Sequence, residues 1–121
     1  MVVAVLDDLF FSIKIKTAAK ARNAEVYFER APEQVLDTIR AKVPRLVIFD
    51  LDSVKMRPMD AIAAMKADPA LRGIATRGFG SHVHDEVIAR ARAAGIDQVL
   101  ARSAFVERLG AIVGPSSTST T

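Results

Sequence analysis

The stretch Pro44-Arg45-Leu46-Val47-Ile48-Phe49-Asp50-Leu51-Asp52-Ser53 decides the fold. Four apolar residues run together with no polar residue between them. A strand with one wet face alternates apolar and polar. A strand covered on both faces does not, and parallel sheets are covered on both faces. The run stops on an acid, Asp50, and a second acid, Asp52, stands two positions on. The N-terminus repeats the pattern, because residues 2–6 are wholly apolar and meet Asp7 and Asp8 at once. Three further short runs, at 24–28, 73–79 and 97–101, read as strands of similar length.

Helix-length amphipathic segments separate these runs. Residues 32–42 open with Pro32, whose fixed φ suits a first helical turn, and carry Val35, Leu36 and Ile39 at helical spacing. Residues 59–67 carry Ile62 and Met65 and stop before Asp68 and Pro69. Residues 82–94 follow Ser81, a capping residue type, place Asp85 and Glu86 in the early turns and end before Gly95. Residues 103–113 carry Phe105, Val106, Leu109 and Ile112, with Ser103 as their cap. Residues 11–22 fit two periods. Phe11, Ile13 and Ile15 alternate with polar neighbours like a strand, whereas Phe11, Ile15, Ala18 and Ala19 make a helical face. The Ala- and Lys-rich continuation favours the helix. Five strands and five helices in strict alternation predict an α/β fold on a parallel sheet with right-handed crossovers. Residues 1–113 form one domain in this reading. Residues 114–121 are Gly, Pro, Ser and Thr only and are expected to be a disordered tail.

Composition narrows the chemistry. Half of the 121 residues are hydrophobic, enough for a single packed core. The absence of cysteine excludes disulfide scaffolds, thiolate nucleophiles and cysteine-ligated zinc. Two histidines, His82 and His84, are too few for an all-histidine metal centre. No stretch approaches the roughly 18 to 20 apolar residues of a membrane helix, and the first residues lack a basic lead and a cleavage site. A soluble cytoplasmic protein without a membrane partner is expected. Eleven Arg and six Lys leave a net charge of +3, dispersed among apolar residues. With one Tyr and no Trp, a nucleic-acid surface is not expected.

The acids then point to a site. Open parallel sheets bind ligands at the carboxyl ends of their strands, at a topological switch point. In a sheet ordered 2-1-3-4-5 the first and third strands are neighbours, so Asp7, Asp8 and Asp50 converge, with Asp52 close by. Converging carboxylates repel one another unless a cation sits among them, and Mg2+ is the hard ion suited to that place. A carboxylate beside such an ion suits phosphoryl transfer, with the carboxylate attacking phosphorus. Arg102 ends the fifth run at the same edge, where a guanidinium can pair with Asp50 or with a phosphate on it. Acids at strand ends also arise from abutting helix N-termini. Three of them at two adjacent strand ends favour a shared site.

Together these motifs resemble the receiver domain of two-component response regulators. The resemblance covers residues 1 to about 113. It is carried by Val-Leu-Asp-Asp at 5–8, Pro-Arg-Leu-Val-Ile-Phe-Asp at 44–50, Met-Lys-Ala-Asp-Pro at 65–69 and Ala-Ala-Gly-Ile-Asp at 93–97. It implies a flavodoxin-like, doubly wound five-stranded parallel sheet of order 2-1-3-4-5 with helices on both faces. It implies Asp50 as phosphoacceptor, and Asp7 and Asp8 as ligands of a weakly held Mg2+, whose shell the Asp52 backbone carbonyl completes. It also implies a stand-alone, chemotaxis-type signalling protein rather than an enzyme. Its partners would be a sensor histidine kinase or other signalling protein and an output partner on a separate chain. A homodimer would form through the face between the fourth and fifth helices, near Arg90, Arg92, Arg102 and Arg108.

The sequence departs from the family's pattern where the phosphate is sensed. The usual Thr or Ser at the end of the fourth strand falls on Gly80, with Ser81 next door as a substitute hydroxyl. The usual Lys falls on Arg102 and its following Pro on Ser103. The switch aromatic falls on Val99. After the phosphosite, the usual Pro and Asp-Gly fall on Val54, Arg57 and Pro58. His82, at the start of the fourth helix, could contact a phosphate, although a surface role is the plainer reading. These departures raise a second reading, a pseudo-receiver that works by contact without phosphorylation. A third arises locally. Val-Ile-Phe-Asp-Leu-Asp-Ser at 47–53 is similar to the first motif of haloacid dehalogenase-like phosphatases, with Asp50 and Asp52 as the catalytic pair. That motif normally opens its fold, whereas here two βα units precede it, and no downstream acidic pair is evident.

Overall fold

A computed structural model describes residues 1–81 and 85–114. The strands are β1 (Val2–Val5), β2 (Val26–Glu29), β3 (Leu46–Asp50), β4 (Ala75–Gly80) and β5 (Gln98–Ala101). The helices are α1 (Leu9–Ala21), α2 (Val35–Lys42), α3 (Pro58–Ala67), α4 (Asp85–Ala94), α5 (Arg102–Glu107) and α6 (Leu109–Val113). A 3-10 turn at Pro32–Gln34 leads into α2. All strand pairs are parallel, as the unbroken apolar runs predict, and the sheet order is β2-β1-β3-β4-β5, as the resemblance implies. β3 is the middle strand, and all five of its residues are buried.

Alternate residues of β1 and β3 feed two cores. Val2, Ala4, Leu46 and Ile48 pack with Phe11, Ile15, Phe79 and Phe105 beneath α1, α5 and α6. Val3, Val5, Val47 and Phe49 pack with Val35, Ile39, Ile62, Met65 and Ala91 beneath α2, α3 and α4. Helices therefore cover both faces, which is why the central strands carry no polar alternation. β2 and β5 are the edges, and their residues are more exposed.

The doubtful segment at 11–22 is helical. Phe11, Ile15 and Ala19 are buried while Ile13 is 62% exposed, the periodicity of a helix and not of a strand. Asp8 fixes its start: its Oδ1 accepts the Phe11 N–H at 3.0 Å, and its backbone carbonyl accepts the Ser12 hydroxyl at 2.8 Å.

Other boundaries differ from the sequence reading. The second strand runs to Glu29, whose charge suggests a loop. Its carboxylate is buried and accepts hydrogen bonds from Ala31 N and the Thr38 hydroxyl. The last helix begins at Arg102 with Ala101 in the cap position, so Ser103 is not its cap. It breaks at Arg108 into α5 and α6, two residues before Gly110, a poor helix former. Gly114, counted with the tail, is buried, and its carbonyl accepts from Arg45. The rest of the expected tail, 115–121, lies outside the described residues, as do His82 and His84. No helix among the described residues is long and apolar enough to cross a membrane.

Candidate functional site

The carboxyl edge of β1, β3 and β4 gathers the expected acids. Asp50 is the last residue of β3, and only 3% of it is exposed. Its Oδ1 accepts the backbone N–H of Asp52 at 2.9 Å. Burial holds the Asp50 carboxyl above its ordinary value, and the negative charges of Asp52 and Asp8 push the same way. The Asp52 N–H bond and the Arg102 charge only partly offset them. Asp8 sits at the start of α1, where it caps the helix. Asp7 lies beside it, and its Oδ1 accepts the Ser53 hydroxyl at 2.7 Å. Ser53 Oγ in turn accepts the Met56 N–H at 3.2 Å, tying Asp7 to the loop after β3.

Arg102 enters this edge from the end of β5. Its Nη2 stands 3.1 Å from Asp52 Oδ2 and 3.9 Å from Asp50 Oδ1, and its Nη1 stands 3.7 Å from Asp8 Oδ2. Its Nε donates to Ser81 Oγ at 3.0 Å. The guanidinium lies 4.6 Å from the ring centre of Phe11 and 5.3 Å from that of Phe79. Phe11, Phe79 and Phe105 stack on one another below it. One arginine therefore faces three carboxylates and is backed by an aromatic stack, an arrangement that fixes its plane.

The structure brings Asp8, Asp50, Asp52, Ser81 and Arg102 together and gives one of them a contact that the sequence reading does not include. Asp52 is expected to act through its backbone carbonyl, yet its side chain is a hub of the site. Its Oδ2 accepts both Arg102 Nη2 and the Ser81 N–H, the latter at 2.8 Å. Burial pushes its carboxyl up, but the bonds from Ser81 and Arg102 outweigh this and hold it below its ordinary value. Arg102 is closer to Asp52 than to Asp50, the partner expected for it. Gly80 explains why Asp52 fits. A Cβ on Gly80 would lie 3.1 Å from Asp52 Oδ1, so the missing side chain makes room for the carboxylate. Ser81, the substitute hydroxyl, is already engaged with Arg102. The sequence signal for this cluster was the glycine at a position where the family carries a hydroxyl, together with an acid two residues after Asp50. An open groove of about 700 Å³ runs from this edge between α1 and α5, lined by Phe10, Phe11, Lys14, Arg102 and Val106 among others.

A five-stranded parallel sheet of this order with helices on both faces is the flavodoxin-like fold. No protein-family model matches the chain, and no curated protein matches it by sequence. The likeness lies in the fold. A response regulator from Hahella chejuensis superposes with a TM-score of 0.80 at 19% identity, over 93% of this chain and 91% of that one. The Vibrio cholerae chemotaxis protein CheY4 superposes with a TM-score of 0.80 at 16% identity, over 89% and 90%. The Mn2+-bound form of response regulator Rcp1 gives 0.77 at 13% identity, over 99% and 96%.

The groups expected to hold magnesium, Asp7, Asp8, Asp50 and the Asp52 carbonyl, stand at this edge with one oxygen of each of the first three side chains engaged by a neighbouring group. Among the described residues no group of three or more His, Cys, Asp or Glu side chains is placed to hold a metal ion. The reason is local. Asp7 is turned to Ser53, one oxygen of Asp8 caps α1, one oxygen of Asp50 is held by the Asp52 N–H, and the guanidinium of Arg102 supplies the positive charge among the acids.

Proposed function

We propose that this chain is a receiver-like signalling module of a two-component phosphorelay that acts by protein contact and accepts phosphate on Asp50. The observation that carries the reading is the placement of Asp50. It is a buried carboxylate at the carboxyl end of the central strand, with a guanidinium 3.9 Å away. In the transfer, an Asp50 carboxylate oxygen attacks phosphorus of a phosphohistidine or an acyl phosphate. The bond from phosphorus to the leaving group breaks, and the leaving group takes the electron pair. Arg102 is placed to receive the added negative charge. The partners in this reading are a sensor histidine kinase or other signalling protein and an output protein on a separate chain, in the cytoplasm. Self-association through the α4–α5 face belongs to the same reading, since Arg90, Arg92 and Arg108 are exposed there. The module is a signalling partner rather than an enzyme.

The test is incubation with acetyl phosphate and Mg2+, followed by intact mass. Addition of one phosphoryl group that Asp50→Ala abolishes supports the reading, and no addition in any variant of the site overturns it. Two observations favour a second reading, contact signalling without phosphate. Gly80 brings no hydroxyl to the site, and Val99 in β5 replaces the family's switch aromatic. The dehalogenase-like reading of Asp50 and Asp52 would require hydrolysis of p-nitrophenyl phosphate. Engagement of the Asp52 carboxylate by Ser81 and Arg102 speaks against its serving as acid and base there.

A further inference from the structure

We propose that Asp52 is a built-in occupant of the oxyanion pocket beside Asp50. The site is self-filled at rest and admits a phosphoryl group or another tetrahedral oxyanion only when the Asp52 carboxylate swings out. The inference rests on the reading that Asp50 faces this pocket as acceptor.

Three independent observations converge on it. The first is the use of donors. One oxygen of Asp52 takes both the Ser81 N–H, at 2.8 Å, and Arg102 Nη2, at 3.1 Å. That same Nη2 is the guanidinium nitrogen nearest Asp50, at 3.9 Å. An oxyanion on Asp50 would need the donors that Asp52 already holds. The second is space. The carboxylate stands 3.1 Å from where a Cβ on Gly80 would be, so it uses room that any side chain at that position would claim. The third is charge. Asp8, Asp50 and Asp52 share Arg102, and a dianionic group cannot join three carboxylates around one guanidinium without strong repulsion. Arrival of the oxyanion and departure of Asp52 are therefore coupled.

The rest of the pocket is built to stay in place while Asp52 moves. Arg102 keeps its Nε bond to Ser81 Oγ, and its plane rests over Phe11 and Phe79. The side chain of Asp52 is 35% exposed, so it has solvent to enter. The donors are thus pre-organised, and the occupant is the movable part.

The experiment compares wild type, Asp52→Asn and Gly80→Ala in two measurements. The first is the rate of acetyl phosphate labelling by intact mass, with Mg2+ present throughout and Asp50→Ala as control. The second is binding of inorganic phosphate followed by NMR. Loss of one charge-assisted competitor should speed labelling and tighten phosphate binding by about tenfold in Asp52→Asn. Gly80→Ala, whose Cβ crowds the carboxylate while leaving its charge and adding no hydroxyl, should move both in the same direction. Equal labelling rates and equal phosphate affinities in all three proteins would overturn the inference and leave Asp50 as acceptor. Tighter phosphate binding in both variants with no labelling anywhere would support the self-filled pocket and overturn Asp50 as acceptor. Neither labelling nor a gain in binding would overturn both.

Discussion

At both ends of the β4–β5 pair a carboxylate crosses between the strands, and the two crossings are built differently. At the amino end, Asp97 Oδ2 accepts the Thr76 N–H at 2.7 Å, the Thr76 hydroxyl at 2.9 Å and Lys66 Nζ at 3.2 Å. Thr76 Oγ1 accepts the Asp97 N–H in return, and Lys66 also donates to the carbonyls of Arg72 and Ile74. One anion meets one cation and the donors are well used. At the carboxyl end, Asp52 crosses from the loop after β3 to Ser81 and Arg102, but Asp8 and Asp50 crowd the same guanidinium. The first arrangement is balanced and holds the sheet together. The second carries surplus negative charge at a groove mouth, which is how a site differs from a staple.

The largest effect should come from Gly95, which follows α4 with φ +107 and lies against Lys66. Gly95→Ala forces an alanine into a left-handed backbone and drives its Cβ to 2.7 Å from Lys66 Cγ, loosening the amino-end staple. A loss of about 2–3 kcal/mol is expected by urea denaturation. A loss below a few tenths would mean that this end is as adaptable as the other. Thr76→Val keeps the shape of a buried residue but removes the hydroxyl that bonds Asp97 both ways. It should cost about 1–2 kcal/mol.

Substituting Asp50 should act in the opposite sense. Burial raises its carboxyl above the unfolded value near 3.8, so the folded state holds the proton more tightly. Its contribution to stability is complete below that value and is lost as pH rises through the raised one. Asp50→Asn should therefore leave stability nearly unchanged in acid and raise it at neutral pH by about 1 kcal/mol. A net loss at neutral pH would show that the ion pair with Arg102 outweighs burial.

The smallest effect should come from Asp97→Asn. Burial pushes Asp97 up, but the Thr76 and Lys66 bonds outweigh it, so its carboxyl is held below the ordinary value. The stability it supplies is complete above about 3.8 and fades as pH falls through the depressed value. The side chain is half exposed, so the variant should flatten the acid limb by no more than a few tenths of a kcal/mol. Asp50 and Asp97 thus answer pH with opposite signs, and a double variant should give the sum if they are independent.

Much of this was legible from periodicity. Unbroken apolar runs at 2–6 and 46–49 required two covered faces and so a parallel sheet, and the acids after them marked its carboxyl edge. Residues 11–22 were harder, since Ile13 satisfied the strand pattern, and burial on the helical face settled them. The split of the last helix and the buried Glu29 were not legible. Each depends on what packs against the segment, and neither has a local signature.

Residue order alone determined the class of fold, the strand whose end carries Asp50 and the company of acids around it, because a period of two or of 3.6 is a property of one segment. Only the tertiary structure decided what Asp52 does. Asp52 and Gly80 are distant in sequence and meet because β3 and β4 pair in a register that sets Asp50 beside Phe79. That register places the acid's side chain in the space the glycine leaves, within reach of Ser81 and Arg102. Neither residue announces the other until the sheet has formed.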